Sequence, residues 1–91
     1  MENFDIKNFD EFFEAVLKLK DKEDCRRFFE DVCTIKELQD VSQRLEVAKL
    51  LSEGKNYQEI SKATGASTAT ISRVNKCLLY GKNGYKIVLN K

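Results

Sequence analysis

The sequence predicts an all-α domain of about five to six helices, and three observations predict it. Not one of its 91 residues is proline, the residue that most reliably breaks a helix. Apolar residues recur at three- and four-residue spacings along most of the chain, which is the period of one helix face. Polar N-cap residues and glycines separate those runs, and no Ser/Gly-rich linker divides the chain in two. The whole, residues 1–91, is expected to be one domain. A chain this short buries only a modest share of its surface, so a core shared with a second copy would help it.

Asn8 or Asp10 can start the first helix, whose apolar face is Phe9, Phe12, Phe13, Val16, Leu17 and Leu19. A second helix runs from about Lys22 to Cys33, with Cys25, Phe28, Phe29 and Val32 on its apolar side and Arg26, Arg27, Glu30 and Asp31 opposite. All six phenylalanines lie between Phe4 and Phe29, more than one small helical layer needs, and core packing, within one chain or across two, is their expected role. Thr34-Ile35-Lys36-Glu37 fits a capping box and opens a third segment. Leu38, Val41, Leu45, Ala48 and Leu51 carry its helical period as far as Gly54, with a break near 40–42 left open. Asn56 caps a very short fourth helix, supported by Glu59 three residues on and stopped by Gly65. After a three-residue turn, Ser67 caps a helix from Thr68 to about Leu79, which ends at Gly81. In the last residues, 82–91, Asn83-Gly84 is a turn signal followed by β-favouring Tyr85, Ile87 and Val88. An extended arm, a strand pairing with its two-fold mate and a short helix all fit that tail.

Composition narrows the function. The chain holds no histidine, so it lacks the commonest general base and the usual partner of a Ser or Cys nucleophile. Its carboxylates sit at the spacings of solvated helix faces, and no enzyme is expected. Cys25, Cys33 and Cys77 are too far apart for a metal motif; they are expected to be reduced and buried, a redox-sensing thiol being the alternative. With no run of about 18 apolar residues and no leader of signal-peptide type, the expectation is a soluble, cytoplasmic protein. The net charge of +1 conceals an asymmetry. Residues 1–54 carry nine Lys/Arg against fourteen Asp/Glu, whereas residues 55–91 carry seven against Glu59 alone. A C-terminal half that faces a polyanion explains that split, and so divides the chain into a helical dimerisation body (1–54), a head (55–81) and a tail (82–91).

Residues 57 to 79 then have what a helix-turn-helix needs. Ile60 faces inward from the first helix, Ser61 is small where the helices approach, and Gly65 stands where a side chain would clash. Ile71, Val74 and Leu78 anchor the second helix through one face. At about 100° per residue the opposite face carries Ala69, Ser72, Arg73 and Lys76, with Thr68 at its leading edge. Thr68, Ala69 and Ser72 are small enough to approach base edges and a thymine methyl in a major groove; Arg73 and Lys76 suit phosphates. Gln58 and Lys62 would hold the first helix on the backbone. These residues point to double-stranded DNA as partner.

Gly65-Ala66 followed by Ala69-Thr70-Ile71-Ser72-Arg73, with Arg44 and Gly54 at compatible upstream spacing, resembles the tryptophan repressor superfamily from Thr34 to about Leu79. The Gly-Tyr-Lys-Ile-Val-Leu tail is similar to the short YerC/YecD-type branch. The resemblance implies an intertwined homodimer whose N-terminal helices interlock and whose two heads meet successive major grooves about one DNA turn apart. It also implies an effector pocket, because Arg44 and Arg73 stand where the repressor holds its amino-acid corepressor. Val74 replaces the glycine that makes room for that ligand and Cys77 replaces a serine, so tryptophan is not expected as corepressor; a different small effector stays open. The expected function is a sequence-specific transcriptional regulator, a repressor, acting as a dimer on a two-fold symmetric operator. The alternative is a helical protein-interaction module with the same fold.

Overall fold

The computed structural model describes residues 5–90; Phe4 and the terminal Lys91 lie outside the described residues. Every element among them is helical, as the apolar period predicts. A 3-10 turn, Ile6–Phe9, precedes α1 (Asp10–Val16), α2 (Lys22–Val32), α3 (Ile35–Ser52), α4 (Tyr57–Thr64), α5 (Thr68–Tyr80) and α6 (Gly84–Leu89). No helix among the described residues is long and apolar enough to cross a membrane. Two compact units divide between Thr34 and Ile35, so α3 belongs with the C-terminal helices. The charge boundary at Gly54 is therefore not a boundary of packing.

In the first unit Asp5 starts the 3-10 turn by accepting from the Lys7 N–H at 3.0 Å. The first α-helix is shorter than expected: it closes at Val16, and Lys18 and Leu19 continue only as a tightened turn bonded to the carbonyls of Ala15 and Val16. Asp21 caps α2 by accepting from the Asp24 N–H at 2.9 Å. Phe12, Phe28 and Phe29 form an aromatic cluster, with Phe28 and Phe29 edge to face at 5.2 Å and Phe12 5.9 Å from Phe28, a geometry that matches ring quadrupoles. No residue of α1 or α2 is fully buried.

The second unit holds the core. Val47 and Ala48 of α3, Ile60 of α4, Ala66 of the turn, and Ile71 and Val74 of α5 are all 2% exposed or less. Leu50, Leu51, Tyr57, Leu78, Tyr85 and Leu89 pack around them. α3 runs unbroken through residues 40–42, contrary to the break left open from sequence: no glycine interrupts it, and Lys36 and Asp40 pair one turn apart at 3.4 Å. The apolar stripe of α3 divides. Val47 and Ala48 are buried, while Val41 and Leu45 from the expected stripe stay 56% and 42% exposed.

The helix stops match the sequence, with one change of reason. Gly54 sits at φ +84 in a Schellman motif, its own N–H bonded to the Leu51 carbonyl and that of Lys55 to the Leu50 carbonyl. Gly65, at φ +75, donates to the Ser61 carbonyl at 2.8 Å. A Cβ there would meet nothing within 4 Å. Gly65 is thus required by its left-handed backbone rather than by the clash expected from sequence. The tail resolves as a helix: Asn83, at φ +65, turns the chain into α6, and Tyr85 and Leu89, one turn apart, pack on the core. The cysteines are free, but Cys25 and Cys77 are exposed and Cys33 is half-buried, against the expected burial. Cys77 lies off the Ile71–Val74 face of α5, and α2 has no covered face deep enough to hide Cys25.

α4 opens on the capping box predicted for it. The Asn56 Oδ1 accepts from the Glu59 N–H and the Glu59 Oε1 from the Asn56 N–H, both at 2.9 Å. The Asn56→Ala variant is expected to lose about 1 kcal/mol of stability, read as a lower midpoint in urea denaturation with an unchanged slope.

Candidate nucleic-acid interface

The two helices of the candidate head are joined by Gly65, Ala66 and Ser67, the three-residue turn expected. Side chains fix its shape. The Ser61 hydroxyl donates to the Ala66 carbonyl at 2.9 Å, the Thr64 hydroxyl donates to the Ile60 carbonyl at 2.8 Å, and the Thr64 oxygen accepts from the Ala66 N–H at 3.1 Å. Gln43 of α3 donates its amide to the Thr64 carbonyl at 3.1 Å, clasping the end of α4. Ala66 fills the corner at 2% exposure. Ser61 is therefore small and polar because it closes the turn, as well as lying where the helices approach. Gln43 and Thr64 were not legible as a clasp, since nothing local marks a residue on α3 as a partner of the turn.

Ser67 starts α5 by accepting from the Thr70 N–H at 3.1 Å. Ile71 and Val74 point into the core, with Leu78 against it. The other face carries the residues expected there: Thr68, Ala69, Arg73 and Lys76 are exposed and Ser72 is half-buried. Gln58 and Lys62 on α4 are exposed as well. Two surface clefts gather these seven side chains. One, of about 360 Å³, is lined by Gln58, Lys62 and Thr68 together with Tyr57 and Ser61. The other, of about 520 Å³, runs along α5 between Ala69 and Gly81 and takes in Ser72, Arg73 and Lys76. Thr68 and Ala69, adjacent in the chain, belong one to each. Glu59, the single acid after Gly54, is held in the α4 capping box.

The four residues expected to make an effector pocket do not line one cavity. Arg44, half-buried, and Cys77 border a cleft of about 560 Å³ between α3, α5 and α6, with Val41, Leu45, Tyr85 and Val88. Arg73 lines the α5 cleft, which shares Cys77. Val74 is 1% exposed within the core, because its branched side chain fills space that a glycine would leave empty. No three His, Cys, Asp or Glu side chains among the described residues cluster so as to hold a metal ion.

The sequence profile of the Trp repressor protein family matches residues 7–91. This chain belongs to the Trp repressor family. YerC of Bacillus subtilis strain 168, an uncharacterized protein, is 54% identical over 85 residues, which cover 93% of this chain and 82% of YerC. A crystal structure of a candidate Trp repressor from Staphylococcus aureus superposes with a TM-score of 0.89 at 43% identity, covering 97% of this chain and 93% of that one. The structure of a TrpR-like protein from Eubacterium eligens gives 0.88 at 52% identity, covering 92% and 87%. The chain thus has the fold of a DNA-binding regulator and lies in the YerC-type branch of the Trp repressor family.

Proposed function

We propose that this protein is a cytoplasmic, sequence-specific transcriptional regulator, a repressor, that binds a two-fold symmetric operator as a homodimer. The observation that carries the reading is the outer face of α5, where small, polar and basic side chains project from a helix whose opposite face is locked in the core. Thr68, Ala69 and Ser72 approach base edges, Arg73 and Lys76 reach phosphates, and Gln58 and Lys62 hold α4 to the backbone. Exposed apolar side chains support the dimer. Ile35, Val41, Ile87 and Val88 are 56–75% exposed, and in the first unit Leu17 is 83% exposed with Phe12 and Phe13 near 40%, more apolar surface than a small monomer usually leaves to water. Burial of Val74 supports the absence of a tryptophan corepressor; the cleft beside Arg44 and Cys77 suits any small effector the protein takes.

Selection of bound duplexes from a random pool, with and without candidate effectors, tests the reading. The expected result is a two-fold symmetric consensus. Lys62, Arg73 and Lys76 in two heads would neutralise six phosphates, so affinity should fall by about a thousandfold between 50 and 200 mM salt. Recovery of no consensus, with no complex in gel shifts at low salt, would instead favour a protein-interaction module.

A further inference from the structure

The cleft along α5 contains one large side chain that the sequence reading did not assign. Tyr80, the last residue of α5, lines it beside Arg73 and Lys76 and is 84% exposed. Ala69, Arg73, Lys76 and Tyr80 follow each other at spacings of four, three and four, which confines them to an arc of roughly 60° at about 100° per residue. No hydrogen bond or ring contact among the described residues engages Tyr80.

We infer that Tyr80 is a further DNA-positioning residue, whose phenol hydroxyl donates a hydrogen bond to a backbone phosphate at the edge of the major groove. The inference rests on the DNA-binding reading above. Its physical basis is length. From Thr68 to Tyr80 the helix advances about 18 Å at 1.5 Å per residue, whereas a major groove is about 12 Å wide. A helix that enters the groove by its N-terminal residues therefore has its last turn emerging beside the sugar-phosphate rim. Tyrosine suits that place: the ring covers sugar carbons while the hydroxyl reaches an anionic oxygen, a contact that positions the helix without reading sequence. Arg73 and Lys76 on one side and Lys82 just beyond give the rim a positive field that draws the phosphate in.

The test is the Tyr80→Phe variant, which keeps the ring and removes only the hydroxyl. Binding of the full chain to a selected duplex and to a scrambled one, measured by fluorescence anisotropy at several salt concentrations, should weaken by about tenfold for both. The salt slope should be unchanged, since no cation is removed, while Lys76→Ala lowers that slope. A methylphosphonate at the contacted phosphate should weaken binding by the unmodified protein but not further weaken Tyr80→Phe. Equal affinity of Tyr80→Phe and the unmodified protein overturns the assignment, as does a loss confined to the selected duplex, which would make Tyr80 a base reader. A Tyr80→Ala variant that changes dimer dissociation in sedimentation while Tyr80→Phe binds normally places the residue at a subunit contact and also overturns it. Absence of duplex binding by the unmodified protein removes the regulator reading itself.

Discussion

The Ala69→Asp variant is expected to lose DNA binding by more than about a hundredfold while remaining fully folded. Ala69 is exposed and occupies the second position of α5, after the Ser67 cap and Thr68. A carboxylate there faces the polyanion directly. At about 5 Å and an effective dielectric constant near 20, its repulsion by one phosphate is about 3 kcal/mol, and each head of a dimer meets it. The same charge lies in the first turn of a helix, where the macrodipole favours anions by about 0.3–1 kcal/mol, and α5 has no acidic residue in that turn. Opposite signs for folding and binding make the variant diagnostic: thermal denaturation should shift slightly upward while anisotropy with the selected duplex shows no complex. Equal binding would place the reading surface elsewhere than on α5.

The Ile71→Ala variant is expected to have the largest effect on stability. Ile71 is 0% exposed and packs in a core of only six buried residues, contributed by α3, α4, the turn and α5. Truncating a buried isoleucine costs about 2–5 kcal/mol through lost transfer energy and the cavity left behind. A domain of this size has about 5–15 kcal/mol in total, and each kcal/mol shifts its melting temperature by roughly 4–8 °C. A drop of more than about ten degrees is therefore expected at fixed protein concentration, which must be held constant if folding and association are linked. A shift below about two degrees would contradict the packing described for α5.

What the sequence made legible was local. Asn56, Gly54, Gly65 and Ser67 act within one helical turn of themselves, so their identities alone place α4, the turn and the start of α5. The polar face of α5 was legible for a similar reason, because Ile71 and Val74 fix which side turns inward and the rest follows from the helical period. Properties set by distant neighbours were not. The second half of α3 is apolar on two sides, so periodicity named Val41 and Leu45 but passed over Val47, which the partners of α3 select for the core. The exposure of Cys77 and the separation of Arg73 from the Arg44 cleft depend in the same way on how α3, α5 and α6 pack. The tail was ambiguous because Tyr85, Ile87 and Val88 favour strands in isolation; α6 forms because Tyr85 and Leu89, one turn apart, find the core. Tyr80 went unassigned because the helix was expected to end one residue before it.

The hydrogen bonds that shape the turn between α4 and α5 also bear on the heat of association. Ser61, Thr64 and Gln43 satisfy the turn's carbonyls and one of its amides within the free protein, so its entropy of ordering is spent during folding rather than on meeting a duplex. Association then proceeds as the docking of rigid bodies. Its heat-capacity change should reflect the surface buried at the contact alone, without the larger negative value that coupled folding of a recognition element produces.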